Sequence, residues 1–251
     1  MKLFLEDGTF IETKNGIDIS IPVDVNKGAK AWYVDAPIIE PVRANGFLGS
    51  VEEGGKVNFK NIFFNPHGHG THTECVGHIS KESLSVNNSL KDTFFKAELI
   101  SCDLKMMRNE YYQEDDFVID ADQFNTIEKG LEAVIIRTMP NDITKRTKNY
   151  SGTNAPYLTE AAIQKLVELE VQHLLIDLPS VDRETDEGVL NAHHIFWNYP
   201  AEINLEKTIT ELIFVPNEVK DGTYILNIQI ASFENDASPS KPVLYKIQKE
   251  K

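Results

Sequence analysis

The sequence predicts a mixed α/β fold, and three observations carry that prediction. Two short buried-strand runs, Ala133-Val134-Ile135-Ile136 and His173-Leu174-Leu175-Ile176, flank a stretch in which Ile163, Leu166 and Val167 share one helical face, which is a βαβ pattern. Further along, Tyr224, Leu226, Ile228 and Ile230 alternate with other residues, the period of a strand. The chain has 251 residues with 41% hydrophobic content, enough for one large domain with its own core. No internal repeat, low-complexity segment or linker forces a boundary, so residues 1–251 are expected to form a single domain.

Taken in order, Leu3 to Glu12 reads as a hairpin, because Asp7-Gly8 is a type I′ turn signal between Leu3-Phe4-Leu5 and Phe10-Ile11. Gly16 to Pro22 adds a strand. Asp24 to about Gly55 mixes Pro, Gly and isolated aromatics without a period and reads as loop and short strand. Val57 to Phe64 alternates and should deliver the chain into the histidine cluster that follows. Phe94 to Leu104 reads as a strand, and Asp122 to Lys129 as a short helix capped near Asp120. Thr159 is placed to N-cap the βαβ helix. The loop from Thr138 to Pro156 is long enough to suggest a functional or oligomer-facing excursion. The remaining strands are Ile209 to Val215, Tyr224 to Ala231 and Val243 to Gln248.

Charge narrows the function. A formal net charge of -14 opposes phosphate backbones and anionic membranes, which are bound through clustered Lys and Arg, so neither nucleic acid nor membrane is an expected partner. The two cysteines, Cys75 and Cys102, make neither a disulfide framework nor a thiolate zinc ribbon. The start turns polar after a few residues and no run approaches a membrane span, so the expected location is cytoplasmic.

The chemistry concentrates in His67-Gly68-His69-Gly70-Thr71-His72-Thr73-Glu74-Cys75-Val76-Gly77-His78, which holds four of the seven histidines. His193 and His194 form a second cluster downstream. Imidazole and carboxylate together suit zinc, manganese, iron or nickel. In an extended segment His72 and Glu74, two residues apart, point the same way and can share one ion. Distant ligands must close the site. His193 or His194 is the natural third, and Glu211 a fourth, because it interrupts the apolar run Ile209-Thr210-Glu211-Leu212-Ile213-Phe214-Val215 and a buried carboxylate needs a partner or a metal. The alternatives are a surface loop with coincidental histidines and a Glu211 facing solvent on an edge strand.

These residues also carry a resemblance. His69 to Glu74, with His78 four beyond, resembles the His-x-Gly-Thr-His-x-Asp-x-Pro-x-His signature of the metal-dependent cyclase family, which includes bacterial kynurenine formamidase and isatin hydrolase. Gly16 to Pro22 resembles that family's opening strand, Ile176-Asp177-Leu178-Pro179-Ser180-Val181-Asp182 its Asp-x-Pro-Ser-Val-Asp stretch, Ala192-His193-His194 with Glu211 its distal ligand pair, and Ser238 to Val243 its Gly-Ser-Pro-x-Arg ending.

The resemblance implies a swivelling β/β/α fold, a divalent metal with zinc or manganese foremost, and a homodimer or homotetramer with sites near subunit contacts. It further implies hydrolysis of an amide-type C–N bond (formamide, lactam or related cyclic) in a small-molecule substrate. The pattern departs in places. Glu74 stands where the family has Asp, Val76 replaces its proline, and about six extra residues separate His193 from Glu211. Gly68 occupies the position of the first histidine, flanked by His67 and His69; His67 is favoured as the substitute because its spacing from Gly70 lets the loop bend back, with His69 nearly as plausible.

The expected metal ligands are thus His67, His72, Glu74, His193 and Glu211, with His69 and His194 as further ligands or their supports. His78 is the expected proton carrier, since imidazole titrates near neutral pH; the alternative for it is an orienting or core histidine. Trp32, Tyr33, Phe47, Trp197 and Tyr199 are candidates for an aromatic substrate wall or for packing. Two other classes stay open: a degenerate cyclase-like protein that only binds small molecules, and a non-hydrolytic metal enzyme, against which the βαβ unit argues.

Overall fold

The computed structural model describes residues 1–250. Its centre is a nine-stranded sheet in the order Ala237–Pro239, His72–Glu74, Thr208–Glu211, His173–Ile176, Ala133–Met139, Phe94–Asp103, Gly222–Asn227, Val243–Lys246, Ile17–Asp18. The four strands from Thr208–Glu211 to Phe94–Asp103 run parallel, and antiparallel strands flank them on both sides. The sheet is curled. Ile17–Asp18 lies at one end of the order, yet Ser20 bridges Ile213 near the other, and the Phe214 N–H donates to the Ile19 carbonyl.

Curling explains the apolar runs. Val134, Ile136, Leu174 and Ile176 face outward onto the helices, among Ile163, Leu166, Phe196 and Trp197. Their neighbours Ala133, Ile135 and Leu175 face inward with Ile19, Leu99, Ile213, Leu226 and Leu244. Strands buried on both faces read as continuous hydrophobic runs rather than alternating ones.

The βαβ unit forms as expected, with Val134 opposite Leu174 in parallel register. Thr159 caps the helix Glu160–Glu168, its Oγ1 accepting from the Ala162 N–H at 3.1 Å, a contact worth about 1 kcal/mol. The loop after Ala133–Met139 is largely exposed but is tied to the body at several points. Lys145 Nζ meets the fully buried Asp177 at 2.8 Å, and Tyr150 and Ala155 pack with Leu212 beneath Trp32.

Other expectations need correction. The first hairpin pairs Lys2–Phe4 with Phe10–Glu12, but Asp7-Gly8 is not a two-residue type I′ turn. Of the turn residues only Gly8 has positive φ (79°); the Leu5 carbonyl accepts from the Gly8 N–H, the Leu5 N–H donates to the Thr9 carbonyl, and the Asp7 side chain accepts from the Thr9 N–H at 2.9 Å. The helix expected over 122–129 is a single 3-10 turn, Ala121–Phe124, capped by Asp120. Thr208–Glu211 ends earlier than expected because Leu212 takes a left-handed conformation (φ 54°) before Ile213 resumes the sheet. The hairpin Lys105–Asn109 with Glu114–Ile119 and the helix Asn191–Trp197 were not legible.

Candidate metal centre

The site starts from one antiparallel register. His72–Glu74 pairs with Thr208–Glu211, which sets Glu211 opposite His72 and Ile209 opposite Glu74. Residues two apart on a strand share a face, so His72, Glu74 and Glu211 emerge on the same side as Ile209, which packs in the helix-facing core. Thr73 and Thr210 emerge on the other side and pin the register with a hydroxyl contact of 2.7 Å. Thr71 accepts from the Ile21 N–H at 2.7 Å and donates to the Leu212 carbonyl, locking the approach. Gly70 is required just before it: its φ is 66°, and a Cβ there would stand 2.7 Å from the Ile21 carbonyl oxygen.

The helix Asn191–Trp197 lays His193 over this face. Its cap residue Leu190 has no capping side chain, and Asp182 supplies the cap from outside, accepting from the Ala192 and His193 N–H groups at 2.7 and 3.1 Å. The same carboxylate takes His193 Nδ1 at 2.5 Å and turns Nε2 toward Glu74 Oε1 at 3.1 Å. That remote cap explains why the helix was illegible: the cap position itself holds Leu190, and Asn191 lies one residue too late to cap.

The loop histidines divide. His67 places Nδ1 3.0 Å from Glu74 Oε2 and Nε2 2.7 Å from Asp236. His69 turns away from the site; its Nδ1 accepts from the Asn65 N–H at 2.9 Å and its Nε2 donates to the Asp35 carbonyl at 2.7 Å. Of the two candidates for the missing first histidine, only His67 reaches the cluster. His194 also lies outside it, bonded to the Tyr199 carbonyl at 3.1 Å and tilted at 53° against the Tyr199 ring, because its immediate neighbour His193 takes the inward face of the helix. His78 stacks on His67 with ring centroids 4.3 Å apart, its Nδ1 3.4 Å from Asp236 and 3.8 Å from Glu74.

Asp236 was missed by the sequence reading, and Asp182 had been quoted without a role. Asp236 sits in a polar segment that resembles any other surface loop.

The inner nitrogens carry the test for a metal. A carbonyl or carboxylate oxygen can only accept, so His72 Nδ1, on the Gly70 carbonyl at 3.2 Å, carries a hydrogen and leaves Nε2 bare. That bare nitrogen faces Glu211 Oε2 at 3.3 Å. By the same logic His67 is protonated on the Asp236 side and His193 on the Asp182 side. With these histidines neutral, three lone pairs and two carboxylates converge; without a cation the carboxylates are balanced only by the protons that His67 and His193 take up. His67 Nδ1 and His72 Nε2 are buried without a hydrogen-bond partner, a costly state for polar atoms. The ligand atoms of His67, Glu74 and His78 lie within 4.8 Å of one another, as do those of His72, Glu74 and Glu211, with Glu74 common to both. The donors fit a divalent cation.

Electrostatics agree. Burial alone would lower the His67 pKa, but the neighbouring carboxylates of Asp236 and Glu74 outweigh it and raise it to about 10. His193, against the same burial, is held well above its usual range by Asp182 and Glu74. Burial opposes ionisation of Glu74, yet the charge of His78 and the contacts of His193 and His67 keep its carboxyl well below the usual range. Burial and the Glu74 charge push Glu211 up. Positive charge is drawn to the places a cation would occupy.

A cavity of about 300 Å³ opens over the cluster, lined by Trp32, Asn65, His67, His78, Ser180, Leu190, His193 and Glu211. Of the five aromatics proposed as its wall, only Trp32 lines it. Trp197 is fully buried under His193, Tyr33 and Phe47 are exposed, and Tyr199 covers His194. Trp32 and Leu190 both hold left-handed backbone (φ 61° and 50°), strain of about 1–3 kcal/mol each that tends to gather at functional sites.

Comparison with known proteins places this geometry. No curated protein sequence matches the chain. Solved structures that match its fold include a predicted metal-dependent hydrolase from Bacillus stearothermophilus, at 15% identity and TM-score 0.64 over 92% of this chain and 98% of that one. An isatin hydrolase bound to the product analogue thioisatinate matches at 14% identity and TM-score 0.66 over 92% of each chain. Isatin hydrolase A from Labrenzia aggregata matches at 14% identity and TM-score 0.63 over 94% of each. The curled sheet with helices on its outer face is therefore the swivelling β/β/α fold expected from the sequence. The Cyclase family model matches residues 17–183, and the chain belongs to the cyclase family.

Proposed function

We propose that this protein is a metal-dependent hydrolase of small molecules that cleaves an amide-type C–N bond, in a formamide, lactam or related cyclic substrate. One observation carries the reading: three histidines, each held by an oxygen acceptor on its outer ring nitrogen, turn their inner nitrogens toward two buried carboxylates, and two of those nitrogens, His67 Nδ1 and His72 Nε2, have no hydrogen-bond partner. His67, His72, Glu74, His193 and Glu211 would hold the ion, and the mixed nitrogen and oxygen donors suit zinc or manganese. When bound, such an ion supplies Lewis acidity toward a carbonyl and acidity to water.

The chain's own residues do the rest. Asp236 and Asp182 fix the tautomers of His67 and His193 and aim their inner nitrogens. Trp32 and Leu190 give the cavity apolar walls, and about 300 Å³ suits a substrate of one or two rings. His78 lines that cavity with Nδ1 turned toward Asp236, which leaves Nε2 for the proton. It takes a proton from the attacking water and returns it to the leaving nitrogen as the C–N bond breaks.

The test compares wild type, His72→Ala and His78→Ala on N-formyl aryl amines, lactams and lactones with zinc or manganese supplied. His72→Ala should lose metal and activity together. His78→Ala should keep metal and lose about 10²–10⁴-fold in rate. Full activity in His78→Ala would remove the proton role, and wild type that binds no metal and hydrolyses nothing would favour a protein that only binds its ligand.

A further inference from the structure

Arg137, Arg183 and Lys207 are basic side chains that are almost wholly enclosed. Arg137 meets Asp221 at 2.8 Å, and Arg183 meets Asp116 at 3.0 Å. Lys207 breaks the pattern. In a chain with 39 acidic residues against 25 basic ones, no carboxylate among the described residues pairs with its amine. Its one partner is the Phe196 carbonyl, at 3.2 Å, near the C-terminal end of the helix Asn191–Trp197, and Nζ lies 4.6 Å from the centre of the Phe196 ring. An ammonium has three donors, so two are left without an acceptor among the described residues. Burial lowers the Lys207 pKa to about 8, which still leaves it charged at pH 7. A buried charge without a counter-ion carries a cost that an anion would remove.

The amine does not sit in closed core. Lys207 lines an open cavity of about 580 Å³ that shares no lining residue with the cavity over the metal centre. His194, turned away from the metal, emerges here. Val167, Ile195, Phe196 and Tyr199 give this cavity an apolar wall, and Gln164, on the exposed side of the helix Glu160–Glu168, adds an amide. Of the lining residues only Glu202 is acidic, and it is exposed.

We infer that this second cavity binds a small organic carboxylate, with Lys207 as its counter-ion and the apolar wall as the seat of its hydrocarbon body. One ammonium matches one negative charge. A dianion such as phosphate would be left half unpaired in a cavity that Glu202 also lines, on a molecule of net charge -14. The wall supplies what phosphate cannot use, since burying a ring or short chain against Val167, Ile195 and Tyr199 removes apolar surface from water.

Titration calorimetry on the metal-loaded chain, with benzoate as the probe, tests this. Wild type should bind benzoate with a millimolar or tighter Kd, and benzamide, of similar shape without the charge, about tenfold or more weakly. Lys207→Met keeps a long side chain and removes the charge. It should keep the wild-type near-UV dichroism, weaken benzoate about tenfold or more and leave benzamide unchanged. Gln164→Trp, at an exposed helix position, narrows the cavity while Lys207 stays, and should weaken both probes. His72→Ala, which disables the metal centre, should retain a benzoate site of wild-type affinity. No binding at millimolar benzoate, either cavity variant binding it as wild type does, or loss of binding in His72→Ala would overturn the proposal. So would inorganic phosphate binding more tightly than benzoate. Hydrolysis is not read in any arm, so the proposed activity stands or falls separately.

Discussion

The metal centre and the hairpin that pairs Ile38–Pro41 with Lys60–Phe63 invert the ordinary distribution of side chains in opposite senses. At the centre Glu74 and Glu211 are 1% and 3% exposed and His72 is fully enclosed, while on the hairpin Phe and Ile side chains lie open to solvent. Buried carboxylates need a positive partner, and exposed apolar pairs on both faces of a hairpin need cover. Each inversion marks a need that the described residues do not meet among themselves: a positive partner in one case, cover for apolar faces in the other. The lesson is one of location. Lys207 aside, the chain elsewhere satisfies its buried ions internally, as Lys145 does for Asp177 and Arg183 for Asp116.

The largest effect should come from breaking the centre at Glu74, the carboxylate shared by both close clusters of donor atoms. Glu74→Gln should reduce bound zinc or manganese to less than a tenth of wild type by elemental analysis, with hydrolysis falling alongside. A variant retaining full metal would return the centre to the class of internally satisfied ion clusters.

Next comes metal removal. An ion present at a hundred times its Kd stabilises by about 2.7 kcal/mol, so chelation should lower the unfolding temperature by several degrees. Glu211 sharpens this result. Its pKa is raised by burial and by the Glu74 charge, so its contribution to stability is full below the unfolded carboxyl range and is lost as pH rises through the higher folded value. At pH 7 the metal-free Glu211→Gln protein should therefore melt above metal-free wild type, with the order reversed when metal is supplied. Differential scanning calorimetry with and without chelator reads both.

Asp182→Ala removes a helix cap and the tether of His193 together. It should cost about 2 kcal/mol in urea unfolding and weaken metal binding measured by titration calorimetry. Loss of stability with unchanged metal affinity would reduce Asp182 to a cap.

His173 is the smallest and most discriminating case, a buried histidine with no missing component. Burial lowers its pKa to about 4, and Thr208 Oγ1 meets its Nδ1 at 2.8 Å. The folded state thus binds fewer protons than the unfolded one between about pH 6.5 and 4, and stability is full above that window and falls with acidification. Between pH 7 and pH 5 wild type should lose about 1–2 kcal/mol more than His173→Gln in urea titrations.

How much of this was legible depends on the range of the interaction that fixes each residue. His72 and Glu74 follow from the alternation of a strand, and Glu211 from the cost of a carboxylate in an apolar run; both arguments are local. The choice between His67 and His69 is not, since it rests on Asp35, Asn65 and Asp236. Asp236 lies 169 residues from His67 and carries no mark in its own surroundings. The helix bearing His193 was hidden because its cap comes from Asp182. Of the strand expected over Val57 to Phe64 only Lys60–Phe63 forms, and alternation is the same whether or not a face is covered. The turn at Asp7-Gly8 was misread because the dipeptide suits several loop lengths.

The pairing of Thr73 with Thr210 spans 137 residues. During synthesis the segment 67–78 therefore emerges long before the strand that completes its site. Closing so large a loop carries an entropy that grows only with the logarithm of its length, but non-local pairing of this kind slows folding. Until residues 208–211 arrive, the four histidines of that segment lack Glu211 and the strand that fixes their register. The complete donor set is therefore a property of the finished sheet, not of the segment that carries most of its histidines.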